Sequence, residues 1–134
     1  MDTLKQQKTD FKEILYEKSN WVARITINRP QVYNSYSTNA LEELATAFRQ
    51  AAFDDEVAVI VYTGAGNKAF CTGGDVKEYQ ERYTRRPHDY WKYMRLFGAY
   101  IESIVNTGKP VIARLNGMAA VSYTHLTLPT IYSV

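Results

Sequence analysis

A chain of 134 residues with 46% apolar and 22% charged residues has the size and balance of one modest globular domain. Its formal charge of +2 gives a nucleic-acid partner no electrostatic support, no stretch is long enough to span a bilayer, and the polar N-terminus MDTLKQQKTDFKE lacks the apolar core of a signal peptide. The single cysteine excludes an internal disulfide, zinc-ligand spacing is absent, and the setting expected from these features is cytoplasmic.

In chain order, ILYEK and WVARITIN are rich in branched and aromatic residues and flank Ser19-Asn20, which predicts a hairpin with that polar pair in the turn. NRPQVYNSYS reads as a loop, because Pro30 drives Arg29 out of helical geometry. Ser37 or Thr38 is a candidate N-cap for a helix whose inner face is Leu41, Leu44, Ala45, Phe48 and Ala52, with Glu42, Glu43, Arg49 and Gln50 pointing away. VAVIVYTG is a continuous apolar run, which predicts a strand buried on both faces. VKEYQERY is a short helical piece after Asp75. A second long helix starts at Pro87, with Tyr90, Met94, Phe97, Ile101 and Ile104 inward, Gly108 as its cap and Pro110 beyond. PVIARLNG is another strand. The alternation of strands and helices predicts an α/β architecture with parallel crossovers.

Between the apolar strand and the short helix lies AFCTGGD, residues 69–75, and its adjacent glycines admit three readings. Gly64, Gly66 and Ala69 fit a dinucleotide fingerprint, but that motif requires a helix to begin at once, and Phe70 to Gly74 are strand and turn formers. The glycines can serve only to bend the chain tightly. They can also bare a backbone N–H so that a substrate oxygen approaches it, with a following helix adding positive potential.

Three blocks bear on that choice: ITINRPQVYNS, IVYTGAGNKAFCTGGDVKEY and GKPVIARLNGMAA. In order and separation they resemble the enoyl-CoA hydratase/isomerase, or crotonase, superfamily, across nearly all of residues 11 to 120. The details CTGGDVKEY and NTGKPVIARLNGM resemble the branch that hydrates and hydrolytically opens cyclic oxo- or enoyl-acyl-CoA rings in the breakdown of aromatic compounds. The resemblance implies a crotonase-type spiral of strand-strand-helix repeats, an acyl-CoA substrate, no cofactor beyond the coenzyme A of that substrate, and assembly as homotrimers or homohexamers. It implies that Gly74 supplies one backbone donor of an oxyanion hole for a thioester enolate. Gly74, Asp75, Val76 and Lys77 correspond to the segment lining the acyl-CoA site. Val32, Tyr33 and Asn34 correspond to an early loop that meets the nucleotide and pantetheine portion.

Other residues carry two readings each. Asp75 can orient water or substrate at the site, or cap the following helix. Cys71 has no histidine partner and reads as a small packing residue, His88 as exposed, and Arg82, Arg85 and Arg86 as a solvated basic face. Lys77 can meet coenzyme A phosphates or simply be solvated. Tyr79, Tyr83, Tyr90 and Tyr93 can wall an acyl pocket or pack a helix. Residues 121–134 differ in composition from the rest of the chain, and Val121 to Thr130 resembles the translation of a sequencing adapter. The expectation is a native portion over 11–120 with a read-through tail behind it, the alternative being a genuine last strand. The resemblance places the second oxyanion donor and the proton-handling acids at and beyond the turn after Asn116-Gly117-Met118-Ala119, so the chain as it stands is expected to be inactive. Alternative functions are another enoyl-CoA hydratase/isomerase or ring-opening hydrolase of the same superfamily, a non-catalytic acyl-CoA-binding module, and a nucleotide-dependent oxidoreductase built on GAGNKA.

Overall fold

A computed structural model describes residues 10–119 of the chain. The proposed tail over 121–134 lies outside the described residues. Strands β1 (Ile14–Ser19) and β2 (Val22–Ile27) pair antiparallel, from Ile14 opposite Ile27 to Ser19 opposite Val22. The turn is therefore Asn20-Trp21, one residue later than the polar pair suggests. Both are left-handed, with φ of 51° and 69°, as the tightest hairpin turn requires. Asparagine tolerates that conformation, whereas a bulky tryptophan does so only under constraint. The constraint is visible in the Trp21 carbonyl, which accepts from Ala58 N at 2.7 Å and Val59 N at 3.2 Å.

Helix α1 (Thr38–Phe53) leads to β3 (Val59–Gly64), and β4 (Ala69–Cys71) comes after the intervening loop. A single α turn, α2 (Val76–Glu78), widens into a π turn over Tyr79–Tyr83. Helix α3 (Pro87–Val105), β5 (Val111–Arg114) and β6 (Met118–Ala119) complete the order. The main sheet runs β1-β2-β3-β5, and β2, β3 and β5 are mutually parallel, as the α/β reading expects. A second, parallel sheet pairs β4 with β6. Its strands are too short for any period of alternation to register in the sequence.

Register places Ala23 beside Ile60 and Ile25 beside Tyr62, and Ile60 beside Val111, so one face of the sheet is continuously apolar. Leu41, Leu44 and Phe48 of α1 and Tyr100 and Ile104 of α3 pack with it in one core. The opposite face carries exposed Arg24 and Arg114 and half-buried Val61 and Ile112. Among the described residues, then, β3 is buried on one face rather than two.

Ser37 caps α1 as expected, its Oγ accepting from Ala40 N at 3.1 Å. Two positions of α1 depart from the helical-face reading. Ala51 rather than Ala52 is the last fully buried residue. Glu43 does not point into solvent: it is buried, and its carboxylate accepts from Lys12 N at 2.9 Å and Glu13 N at 2.8 Å. It thereby satisfies backbone donors that precede β1, which is how a buried charge becomes tolerable. Pro87 opens α3, and Phe97, Ile101 and Ile104 face the core as read, but Met94 is exposed, Tyr90 is half-buried outside the core, and the helix's most buried residue is Tyr100, with Tyr93 and Leu96 packed partly beside it. The helix closes at Asn106, and left-handed Gly108 turns the chain two residues later.

Candidate active site

The stretch 69–75 is held by side chains distant in sequence. Asn34 is 1% exposed. Its Oδ1 accepts from Arg29 N at 2.9 Å, and its Nδ2 donates to the carbonyls of Ala65 at 3.0 Å and Ala69 at 2.8 Å. Asn116 Nδ2 also donates to the Ala69 carbonyl, at 3.0 Å, and to Gly66 O at 2.9 Å, while its Oδ1 accepts from Gly64 N at 3.1 Å. Two asparagines from opposite ends of the fold thus pin the loop 64–69 and the start of β4. The backbones here come so close that a Cβ at Gly64 would stand 2.4 Å from Phe70 O. The chain continues from Ala69 as a strand rather than as the helix a dinucleotide fingerprint needs, so the oxidoreductase reading fails on local geometry.

Beyond β4 the chain makes a lone parallel bridge between Tyr36 and Gly74. Tyr36 N donates to Gly73 O at 2.9 Å, and Asp75 N donates to Tyr36 O at 3.0 Å. The peptide groups on either side of Gly74 are therefore engaged, while its own N–H, directed away from the Tyr36 backbone, has no hydrogen-bond partner among the described residues. The two glycines meet different demands. Gly73 has φ of 102°, a conformation that favours glycine. Gly74 is not left-handed, but a Cβ there would stand 2.7 Å from Tyr93 Oη.

Gly74, Asp75 and Val76 form one side of a cavity of about 300 Å³, and Tyr79, Tyr83 and Tyr93 form the other. Tyr83 and Tyr93 have ring centroids 5.0 Å apart, and Tyr79 meets Tyr83 edge-on at 6.1 Å. The Tyr83 hydroxyl makes a very short contact with Thr38 Oγ1 and donates to Glu78 Oε1 at 3.3 Å. Glu78 Oε1 also accepts from Thr38 N at 2.9 Å, which fastens the helical segment after the glycines to the start of α1. Burial, then the adjoining Tyr36 hydroxyl with which it shares a hydrogen bond, hold the Tyr93 phenol well above its ordinary pKa. A phenol is neutral at neutral pH, and this shift keeps it so.

Asp75 caps α2, its Oδ1 accepting from Lys77 N at 3.0 Å and Glu78 N at 3.2 Å, and its Oδ2 pairs with Arg29 Nη2 at 3.1 Å. Burial alone would raise its pKa, but the Glu78 amide, the Arg29 guanidinium and the Lys77 amide outweigh burial and hold the carboxyl below its ordinary value. Arg29 also reaches Glu13 Oε1 at 3.0 Å and the Ser35 carbonyl at 2.6 Å, so one guanidinium joins the edge of β1, the early loop and the site.

Residues 17–130 match the family model for enoyl-CoA hydratase/isomerase. The chain belongs to that family. It is 47% identical over 96 residues to 6-oxocyclohex-1-ene-1-carbonyl-CoA hydrolase of Geobacter metallireducens, covering 72% of this chain and 25% of that one. The protein of the same name from Thauera aromatica is 48% identical over 94 residues, 70% of this chain and 25% of that one. The chain thus spans about a quarter of the length of these curated relatives. Among solved structures, enoyl-CoA hydratase from Bacillus anthracis superposes with a TM-score of 0.81 at 30% identity, over 91% of this chain and 46% of that one. An enoyl-CoA hydratase/isomerase from Xanthobacter autotrophicus Py2 gives 0.79 at 31% identity, over 92% and 46%. The crotonase-type α/β fold anticipated from the sequence blocks is the one observed.

Of the seven site residues that the family resemblance implies, five line two cavities and two line neither. Gly74, Asp75 and Val76 share the tyrosine-walled cavity, whereas Lys77 is exposed beside it and lines none of it. Tyr33 and Asn34, both left-handed with φ of 56°, border a second cavity of about 210 Å³ with Pro30 and the loop 65–69. Val32 ends the 3-10 turn Pro30–Val32 and lines neither. The Tyr33 carbonyl accepts from Thr72 Oγ1 at 3.2 Å, so the segment 69–74 runs between the two cavities. Cys71 is fully buried in the core, and His88 is exposed and stacks on Trp91. Arg82 and Arg86 lie at the surface, 3.9 and 3.6 Å from Asp89. Residue-by-residue reading missed Arg29, Asn116 and Tyr36. The only local hint was Asn116-Gly117, a turn dipeptide.

Among the described residues, no helix is long and apolar enough to cross a membrane. The turn expected to bring the second oxyanion donor lies outside the described residues.

Proposed function

We propose that the complete protein is an acyl-CoA enzyme that hydrates and opens the ring of a cyclic oxo-acyl-CoA, with 6-oxocyclohex-1-ene-1-carbonyl-CoA as the substrate class. One observation carries this reading: the Gly74 N–H, unpartnered among the described residues, on a cavity walled by tyrosines. The names of the relatives at 47% and 48% identity support the choice of ring. When water adds across the conjugated double bond, the electron pair moves onto the thioester oxygen, and the Gly74 N–H is the donor that holds it. Cleavage of the ring beside the ketone sends a pair to the same oxygen. Removing one such donor costs on the order of a hundred- to a thousandfold in rate.

In this reading Asp75 is a positioning residue. A carboxyl whose pKa is depressed by two amides and a guanidinium is a poor proton acceptor, but it fixes the peptide on which the donor sits. Tyr33 and Asn34 shape the second cavity, where the pantetheine and nucleotide portion runs, and Lys77 meets its phosphates. The reaction needs no cofactor beyond the coenzyme A of the substrate, and the working assembly is a trimer or a pair of trimers.

The test is incubation of the complete protein with 6-oxocyclohex-1-ene-1-carbonyl-CoA, and then mass spectrometry of the thioester. Uptake of two waters with loss of the ring is expected. Uptake of one water, reversibly and without ring opening, would mark a plain hydratase, which the structural neighbours favour. Tight binding without turnover would mark a non-catalytic module, and no binding at all would overturn the acyl-CoA reading.

A further inference from the structure

We infer that Tyr93 contacts the substrate, donating a hydrogen bond to the ring ketone of a cyclic β-oxo-acyl-CoA beside the thioester oxygen held at Gly74. This inference rests on the acyl-CoA reading above and assigns the second oxygen of the substrate.

The first support is position. A Cβ on Gly74 would stand 2.7 Å from Tyr93 Oη, so the hydroxyl lies directly against the peptide that presents the proposed oxyanion donor. Both residues line the same cavity. In a β-oxo thioester the two carbonyl carbons flank one carbon, so their oxygens can lie side by side. A site that meets both needs two donors side by side, which is what a backbone N–H and an adjoining phenol supply.

The second support is selection among the tyrosines of the wall. Tyr83 spends its hydroxyl on Thr38 and Glu78, and Tyr79 is 43% exposed. Tyr93 bonds Tyr36, whose backbone in turn clasps Gly73 and Asp75. One residue therefore anchors both the oxyanion strand and the phenol, and their spacing is fixed together. Without a ligand the Tyr93 phenol donates to Tyr36, which is why that bond raises its pKa. A phenol–phenol bond reverses by rotation of two hydroxyls, so with substrate bound Tyr36 donates to Tyr93 and Tyr93 donates to the ligand oxygen.

The chemistry gives that donor a task. Water attacks the ring ketone, a C–O bond forms, and the carbonyl pair moves to the ketone oxygen. Collapse of this adduct restores a carbonyl as a carboxyl group and breaks the bond to the carbon bearing the thioester. The released pair enters the thioester as an enolate, and a proton returns to that carbon. Tyr93 stabilises the alkoxide of the adduct without itself losing a proton, and Gly74 stabilises the enolate formed next. A ligand lacking the ketone leaves the phenol bonded to Tyr36 alone, so removal of that hydroxyl changes little for such a ligand.

The experiment compares wild type with Tyr93→Phe and Tyr36→Phe in the complete protein. The readouts are kcat/KM on 6-oxocyclohex-1-ene-1-carbonyl-CoA and the rate of hydration and Kd of cyclohex-1-ene-1-carbonyl-CoA, which has no ketone. Tyr93→Phe should lose on the order of a hundredfold on the oxo ester, mostly in kcat, as expected for a lost oxyanion donor, and should change less than threefold on the plain ester. Tyr36→Phe, which only loosens the phenol, should give a smaller loss in the same direction. An equal loss on both esters, or no loss on the oxo ester, overturns the inference while leaving the acyl-CoA reading intact. Failure of the wild type to bind either ester overturns that reading itself.

Discussion

Introducing a methyl group at Gly74 separates room from conformation. The new Cβ would stand 2.7 Å from Tyr93 Oη, and the shortfall against the 3.4 Å at which ordinary contact begins is 0.7 Å. Tyr93 cannot swing away freely, because Tyr36, Tyr83 and Tyr90 surround it. Crowding of this kind costs about 1–3 kcal/mol. In a Tyr93→Phe background the hydroxyl is gone, and the nearest atoms become Tyr36 Cε2 at 3.7 Å and the ring carbon Cζ at 3.9 Å, both ordinary contacts. The same Gly74→Ala change should then be neutral or stabilise by a few tenths of a kcal/mol, because alanine has less freedom to lose on folding. Urea unfolding of the complete protein as wild type, both single variants and the double variant would give the coupling, expected at about 1–2 kcal/mol in favour of the double variant. Gly73→Ala is the control: with φ at 102° its cost is conformational, and Tyr93→Phe should not relieve it. Strict additivity of Gly74→Ala with Tyr93→Phe would refute the claim that Gly74 is glycine to make room for the phenol.

Three further outcomes are expected from the contacts around the site. Asn34→Ala removes three hydrogen bonds, one buried and two part-buried, and should lower stability by about 2–4 kcal/mol, read as a fall in the denaturant midpoint with an unchanged slope. Asp75→Ala should cost about 1–2 kcal/mol at neutral pH through loss of the α2 cap and the Arg29 pair. Because the folded carboxyl titrates below its ordinary value of 3.8, that contribution is present above pH 3.8 and lost as pH falls through the depressed value. Stability curves of wild type and variant should therefore converge in acid, and divergence there would reverse the assignment. Glu43→Ala should release the Lys12 and Glu13 amides, so that native-state hydrogen exchange accelerates at those two positions and at the neighbouring end of β1.

How far the sequence revealed this structure depended on the range of the forces involved. Long amphipathic patterns were legible: α1 with its Ser37 cap, α3 with Pro87 at its first turn, and the apolar strand that became β3. These are set by contacts between near neighbours and by one periodicity. The hairpin turn was displaced by one residue because Trp21, a poor turn former, is held there by Ala58 and Val59, which lie more than thirty positions away. Periodicity places Glu43 toward solvent by its charge, whereas its position is set by two backbone donors of an earlier segment. The glycines of 73–74 stood out locally, but their separate reasons did not. One needs a backbone angle, and the other needs space beside a phenol nineteen residues onward.

That division bears on how a backbone donor can be evolved at all. A side-chain catalyst is aimed by its own rotamer, but a peptide N–H is aimed only by whatever fixes the peptides around it. Here the fixing groups are Tyr36, which engages Gly73 and Asp75, and Arg29, which holds the Asp75 carboxylate. Asn34 and Asn116 both grip Ala69, four residues before the first glycine of the pair. Substitutions at Tyr36, Arg29 and Asn116, which line neither cavity, should therefore change the alignment of Gly74 without touching a substrate. In the acyl-CoA reading, their signature is a fall in kcat with KM nearly unchanged, because a misaimed donor forfeits stabilisation that is realised in the transition state rather than in the bound ester. Asn116→Ala is the cleanest case, since the residue lies on neither of the two cavities. A variant that raised KM and left kcat intact would mean that Asn116 shapes substrate binding and that the Gly74 peptide is positioned by other means.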